Sequence, residues 1–160
     1  MTVMIRPLAP HDMDWARNAW RVFWGSEAIV SRGQRHELPE LPAFIALVDD
    51  EPSGLASYAF DGQGDCELVS LHSSIEGSGA GSQLVEAVLQ AAREKGSRRV
   101  WLVTTNDNTD ALRWYQKRGF RLSALYRDAV TRARAIKPEI PATGDDGIPL
   151  YDEIELEIVL

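Results

Sequence analysis

The chain has one cysteine, Cys66, so no internal disulfide can form, and its three histidines do not pair with that thiol at zinc-finger spacing. No metal site is expected, and a reducing cytoplasm is the expected location. Long apolar runs are missing: nothing approaches the ~20 residues that cross a bilayer, so no membrane partner is expected. The opening Thr2-Val3-Met4-Ile5-Arg6 is not the basic-then-apolar pattern of a secretory leader, and none is expected. A basic excess is also absent, since 24 acidic residues face 17 basic ones and the formal net charge is −7. That field repels phosphate backbones, so a nucleic-acid partner is not expected, and any anionic ligand must be held by local geometry. There are no repeats and no low-complexity tracts. The 160 residues suffice for one domain, residues 1–160, with a core that needs neither disulfide nor metal.

What is present reads as alternating strands and helices. Residues 2–8 form a first strand, and Pro7, Pro10 and Asp12 punctuate the approach to a helix ending near Trp24. Met13, Ala16, Trp20 and Trp24 recur at helical spacing as a core-facing stripe, with an aromatic wall of a substrate cleft as the other use of Trp24. Residues 26–41 are polar and broken by proline, and read as a short helix plus a loop. Strands follow at 43–48, 54–60 and 67–72, joined by tight turns, which makes an antiparallel meander the simplest topology. Leu84, Val85, Val88, Leu89 and Ala92 mark a helix that stops near Gly96, followed by a buried strand at 99–105. Asn108 opens another helix that Gly119 ends, and residues 120–126 and 153–160 are the closing strands. Between these two strands lies a long connection, 127–151. It is basic at its start, with Arg132, Arg134 and Lys137, and then acidic; it reads either as a solvated loop or as a segment that contacts a carboxylate or phosphate.

Two segments carry chemistry. Glu76-Gly77-Ser78-Gly79-Ala80-Gly81-Ser82 lies between a strand and a helix, where unpaired N–H groups and the helix dipole favour an anion. Glycine is needed there because a Cβ blocks close backbone approach to a pyrophosphate. By itself such a run also fits a nucleotide fold or a plain turn. Further on, Asn108, Ala111, Tyr115, Gly119 and Phe120 make the pattern N-x-x-A-x-x-x-Y-x-x-x-G-F, whose chance occurrence is about one in a few million per window.

Together these segments resemble the GCN5-related N-acetyltransferase superfamily, and the order of elements resembles it over essentially the whole chain. The resemblance implies an α/β (α+β) fold: a mixed, mostly antiparallel central sheet of about seven strands flanked by about four helices. It implies acetyl-coenzyme A as co-substrate, with Gly77, Ser78, Gly79, Ala80, Gly81 and Ser82 around its pyrophosphate and Asn108, Ala111 and Tyr115 along its pantetheine arm. Glu76 departs from the Gln or Arg of the family pattern and adds negative charge beside the phosphates.

The implied reaction is transfer of the acetyl group to a primary amine of a small molecule or peptide, by direct attack in a ternary complex. The resemblance places a β-bulge at Leu71 or His72, freeing a backbone N–H for the thioester carbonyl. Tyr115 matches the residue that protonates the departing sulfur, although a buried tyrosine that only packs has the same pattern. Glu67 and His72 are both candidates for the general base, with a water chain as the third route. Cys66 has no sequence-evident partner base, which leaves a covalent thioester route the minor one. The rival of another class is a non-catalytic coenzyme A-binding regulatory module. A dinucleotide-binding fold places its glycine loop after the first strand, which this order does not. Trp24, Arg132 and Arg134 are the candidate acceptor contacts, the arginines favouring an acceptor with a carboxylate. A homodimer through an edge strand is compatible with the pattern.

Overall fold

The computed structural model describes all 160 residues, which divide into two compact units. The first contains Met1–Ile29, His36–Val100 and Leu160, and the second Val30–Arg35 and Trp101–Val159. Seven strands form one sheet in the order β1-β4-β5-β6-β7-β9-β8, and a separate hairpin pairs β2 with β3. With four α-helices, this is the mixed, mostly antiparallel architecture expected from the sequence.

In the first unit, β1 (Val3–Pro7) pairs antiparallel with β4 (Ala43–Val48), β4 with β5 (Glu51–Phe60), and β5 with β6 (Cys66–Ser73). Helix α1 (Met13–Trp24) buries Ala16, Ala19 and Trp20 against Leu38, Ile45 and Leu55. Each fully buried Leu or Ile contributes roughly 1.5–3 kcal/mol of transfer free energy. The expected stripe thus holds through Trp20, whereas Trp24 in the last turn is 38% exposed. Gly25 ends the helix with φ 76°, donating its N–H to Arg21 O at 3.0 Å. Ahead of the helix, Arg6 grips Asp12 with two hydrogen bonds of 2.6 and 2.9 Å, and the Ala9 N–H adds a third at 2.8 Å. These bonds, the Arg6 one foremost, hold the Asp12 carboxyl down at about 2.

Helix α2 (Ala80–Lys95) buries Ala80, Leu84, Val85, Val88, Leu89 and Ala92, the stripe its sequence carries, and Gly96 closes it with φ 81°. Gly54 on β5 permits a close approach, because a Cβ there would lie 2.7 Å from the His72 carbonyl oxygen.

Residues 26–41 differ from expectation. Instead of a helix they form β2 (Ala28–Ser31) and β3 (Gln34–Glu37), followed by a short 3-10 turn, Leu38–Glu40. The reason lies in Arg32-Gly33, whose φ values of 49° and 77° are those of a two-residue type I′ hairpin turn.

The second unit takes in β7 (Arg99–Thr105) from Trp101 onward, then α3 (Thr109–Lys117), β8 (Arg121–Tyr126), α4 (Ala129–Ala133) and β9 (Glu153–Val159). β8 and β9 pair antiparallel with a register break at Ser123, whose hydroxyl donates to Glu155 at 2.6 Å. The connection between them is held by hydrogen bonds rather than left free. The Asn106 amide donates to Pro149 O at 2.7 Å, and its carbonyl oxygen accepts from the N–H groups of Tyr151 and Asp152 at 3.0 and 2.9 Å. Asp107 accepts the Asp145 N–H at 2.8 Å and the Thr105 hydroxyl, and a Cβ on Gly144 would overlap its carboxylate.

Candidate active site

A register break decides which side chains of β6 share a face. Ser57 pairs with Ser70, and the next residue, Tyr58, pairs with Leu68, so Val69 is the extra residue of a β-bulge. The bulge therefore lies at Val69, not at Leu71 or His72, which pair regularly with Ala56 and Leu55. Its effect is on parity. Without it Glu67 and His72 would project from opposite faces; with it Glu67, Ser70 and His72 share the face that carries Leu55 and Ser57 of β5. Leu71 projects from the other face.

That shared face is unusually polar for a buried surface. Glu67, Ser70, His72 and Ser57 are all buried. Glu67 lies 3.2 Å from Nε2 of His36, itself buried, which the β2–β3 hairpin delivers to this face. The His72 ring stacks on Phe23 of α1 with centroids 4.1 Å apart and a 23° interplanar angle. Neither His72 ring nitrogen has a hydrogen-bond partner, and the Ser57 and Ser70 hydroxyls have none either. Burial pulls the imidazole down to about 4, so it is neutral at physiological pH and holds a proton weakly. Cys66 beside Glu67 is fully buried, and desolvation, with Asp61 and Glu67 nearby, pushes its thiol up to about 12. It stays a thiol at neutral pH.

Immediately after β6 the chain turns through the glycine loop into α2. Gly77 and Gly79 have φ of 73° and 82°, a conformation that side-chain-bearing residues rarely adopt. The Ser78 hydroxyl is spent on the loop itself, donating to Ile75 O at 2.8 Å and accepting the Ala80 N–H at 3.2 Å. No acidic residue occupies the first turn of α2, and Glu76 is exposed to solvent ahead of it. A backbone cradle with no carboxylate in its helical turn fits a pyrophosphate, which meets N–H groups and the positive helix end there.

In the second unit, the motif on α3 explains itself in part as structure. Asn108 is the N-cap, and its Oδ1 accepts the Ala111 N–H at 3.0 Å. Gly119, at φ 94°, lets the chain leave the helix so that the Phe120 N–H reaches Tyr115 O at 3.1 Å. The Phe120 ring then packs edge-on to Tyr115 at 5.3 Å, and Trp114 packs edge-on from 5.0 Å. Burial pushes the Tyr115 phenol above its ordinary value, against the opposing charge of Arg118, so the phenol stays protonated through neutral pH.

The two arginines of the 127–151 connection part company. Arg134 donates to three carbonyls, Ile140 at 3.2 Å and Pro141 and Leu150 at 2.6 Å each, so its guanidinium ties the connection together rather than facing a ligand. Arg132 lines a cavity of about 320 Å³. Trp24 is partly exposed at the end of α1, next in sequence to the Phe23 that covers His72. Sequence reasoning missed His36, Phe23 and Arg32; the first two act across the fold with no local pattern, while the Arg-Gly pair at the hairpin turn was the available signal for the third.

Residues 12–120 match the Acetyltransferase (GNAT) family. The Bacillus subtilis (strain 168) protein YxbD, described as uncharacterized, is 43% identical over 134 residues, covering 83% of this chain and 84% of its own. YdhI of the same organism, also described as uncharacterized, is 39% identical over 132 residues, 82% of each chain. Among solved structures, a GNAT family acetyltransferase from Elizabethkingia anophelis with acetyl-CoA bound shares the fold, with a TM-score of 0.71, 20% identity and coverage of 99% of this chain and 98% of that one. The glycine loop ahead of α2, the capped α3 motif and this match across most of the sequence agree: the chain belongs to the acetyltransferase (GNAT) family.

Proposed function

We propose that the protein transfers the acetyl group of acetyl-CoA to a primary amine of a small molecule or peptide, by direct attack within a ternary complex. The observation that carries this reading is the polar face of β6, with Glu67 and His72 brought to one side by the bulge at Val69, directly ahead of the glycine loop and α2.

Acetyl-CoA supplies the thioester. Backbone N–H groups of residues 77–82 take its pyrophosphate, with Gly79 and Gly81 allowing the approach. Asn108 and Ala111 fix the start of α3, along which the pantetheine arm runs to Tyr115. A backbone N–H of β6 beside the bulge at Val69 meets the thioester carbonyl, where a fixed donor in a dry site contributes most. As the amine nitrogen bonds to the acetyl carbon and the C–S bond breaks, the Glu67 carboxylate takes the proton from nitrogen and the Tyr115 phenol donates its hydrogen to the departing sulfur. His72, neutral and stacked on Phe23, shapes the wall of that face. Because the Cys66 thiol is held protonated, no acetyl-cysteine stage is needed.

Calorimetric titration with coenzyme A, followed by thiol release from acetyl-CoA against a panel of amines, tests the reading. Binding in the micromolar range with amine-dependent thiol release supports it; no heat at millimolar coenzyme A overturns it.

A further inference from the structure

The cavity of the second unit has a wall chemistry that the acetyl-transfer reading leaves unused. One side is the face of α4 and the turn after it, where Arg132, Ala133 and Ile136 follow at helical spacing. Tyr126 and Glu153, paired across the ends of β8 and β9, form the floor. Arg32 of the hairpin turn closes the remaining side, its guanidinium 4.1 Å over the Tyr126 ring and its backbone N–H 3.0 Å from Glu153 Oε1.

The charges are not equivalent. Arg32 faces a carboxylate, with Glu155 at 3.4 Å, and Glu155 is further held by Ser123 and by the Tyr126 hydroxyl at 3.2 Å. The Arg132 guanidinium has no acidic partner; its one hydrogen bond runs to the Arg127 carbonyl at 3.1 Å. In a chain of net charge −7, a guanidinium left without a carboxylate at a cavity wall is a local exception to the overall field. A planar fork of N–H donors beside an apolar wall suits a carboxylate that carries an apolar body. The buried Glu153 in the same lining opposes a dianion such as phosphate more strongly than a single carboxylate. A volume of about 320 Å³ is the lower end of the range for small-molecule sites and is the scale of one amino acid.

We infer that this cavity holds an amino acid or peptide C-terminus with an apolar side chain by its carboxylate, with Arg132 as its principal charged contact. The binding site is a property of the second unit alone. Arg32 takes the place of Arg134, whose donors are already occupied, as the second cation.

The test is calorimetric titration of the full chain with L-phenylalanine and L-leucine, with phenethylamine and isoamylamine as their carboxylate-free counterparts, and with inorganic phosphate. At least one amino acid binds, and its amine counterpart and phosphate bind ~10-fold more weakly or worse. Arg132→Ala, a surface substitution whose fold is checked by circular dichroism, weakens the amino acid ~10-fold or more and leaves the amine unchanged. No binding of either amino acid at about 10 mM, equal binding of amine and amino acid, or an Arg132→Ala affinity equal to wild type overturns the inference. Coenzyme A titrated in parallel separates the two claims. Coenzyme A binding without amino acid binding removes this site and leaves the acetyl-transfer reading; amino acid binding without coenzyme A binding does the reverse.

Discussion

Glu67 and His72 lie an odd number of positions apart on β6, yet they project from the same face because Val69 is inserted between them as a bulge. A regular strand would put one of them against α1 and the other on the far side of the sheet. The bulge thus gathers a carboxylate and an imidazole onto one buried surface. Glu67→Gln keeps the shape and removes the proposed base. Turnover is expected to fall by about 10²–10⁴-fold with coenzyme A affinity unchanged. A variant with wild-type turnover would remove Glu67 from the mechanism.

His72 supports a prediction about stability. Its folded value of about 4 lies below the ordinary 6.5, so between those values the unfolded chain binds the proton that the folded chain refuses. Stability therefore falls as pH drops from about 6.5 toward 4, at about 1.4 kcal/mol for each pH unit between the two values and by a few kcal/mol at most for this group. His72→Phe keeps an aromatic ring for Phe23 to stack on and deletes two buried nitrogens that bond to nothing. Denaturant titrations at pH 4.5 and 7.5 are expected to show a smaller difference in the variant than in wild type. An equal difference in both would place the imidazole in contact with water.

Tyr115→Phe isolates the sulfur side. The ring packing on Phe120 and Trp114 survives the change, so folding and coenzyme A affinity should hold while turnover drops by about 10²-fold or more. Because burial raises the phenol, wild-type activity should show no loss from its ionisation below about pH 10. An alkaline limb near pH 8 that disappears in the variant would contradict that assignment.

Much of this was legible in the sequence. The glycine loop, the strand and helix periodicities and the α3 motif are local signals, and each is realised locally: Gly77 and Gly79 as positive-φ turns, Asn108 as an N-cap, Gly119 as a helix end. What was not legible depends on register or on long-range contact. A bulge such as Val69 is one residue in a strand that reads the same with or without it. His36 meets Glu67 only because the hairpin folds over that face. Arg132 and Arg134 are neighbours of identical chemistry in the sequence, and only the carbonyls of Ile140, Pro141 and Leu150 separate their roles.

Two substitutions test the structural reading of the second unit. Asn108→Ala removes the cap on the Ala111 N–H and should cost about 1 kcal/mol in urea denaturation. Gly144→Ala drives a Cβ into the Asp107 carboxylate, which also holds the Asp145 N–H, and should cost about 1–3 kcal/mol. A wild-type midpoint for the Gly144 variant would show that the connection gives way without strain.

The most direct measurement is thiol release from acetyl-CoA, followed with and without each of a set of amines, amino acids and peptides, together with mass spectrometry of the acceptor. Release that depends on an amine, with a gain of one acetyl group on its nitrogen and none on Cys66, is the predicted result. Coenzyme binding with no acceptor-dependent release across the set, or acetyl transfer that passes through Cys66, would contradict it.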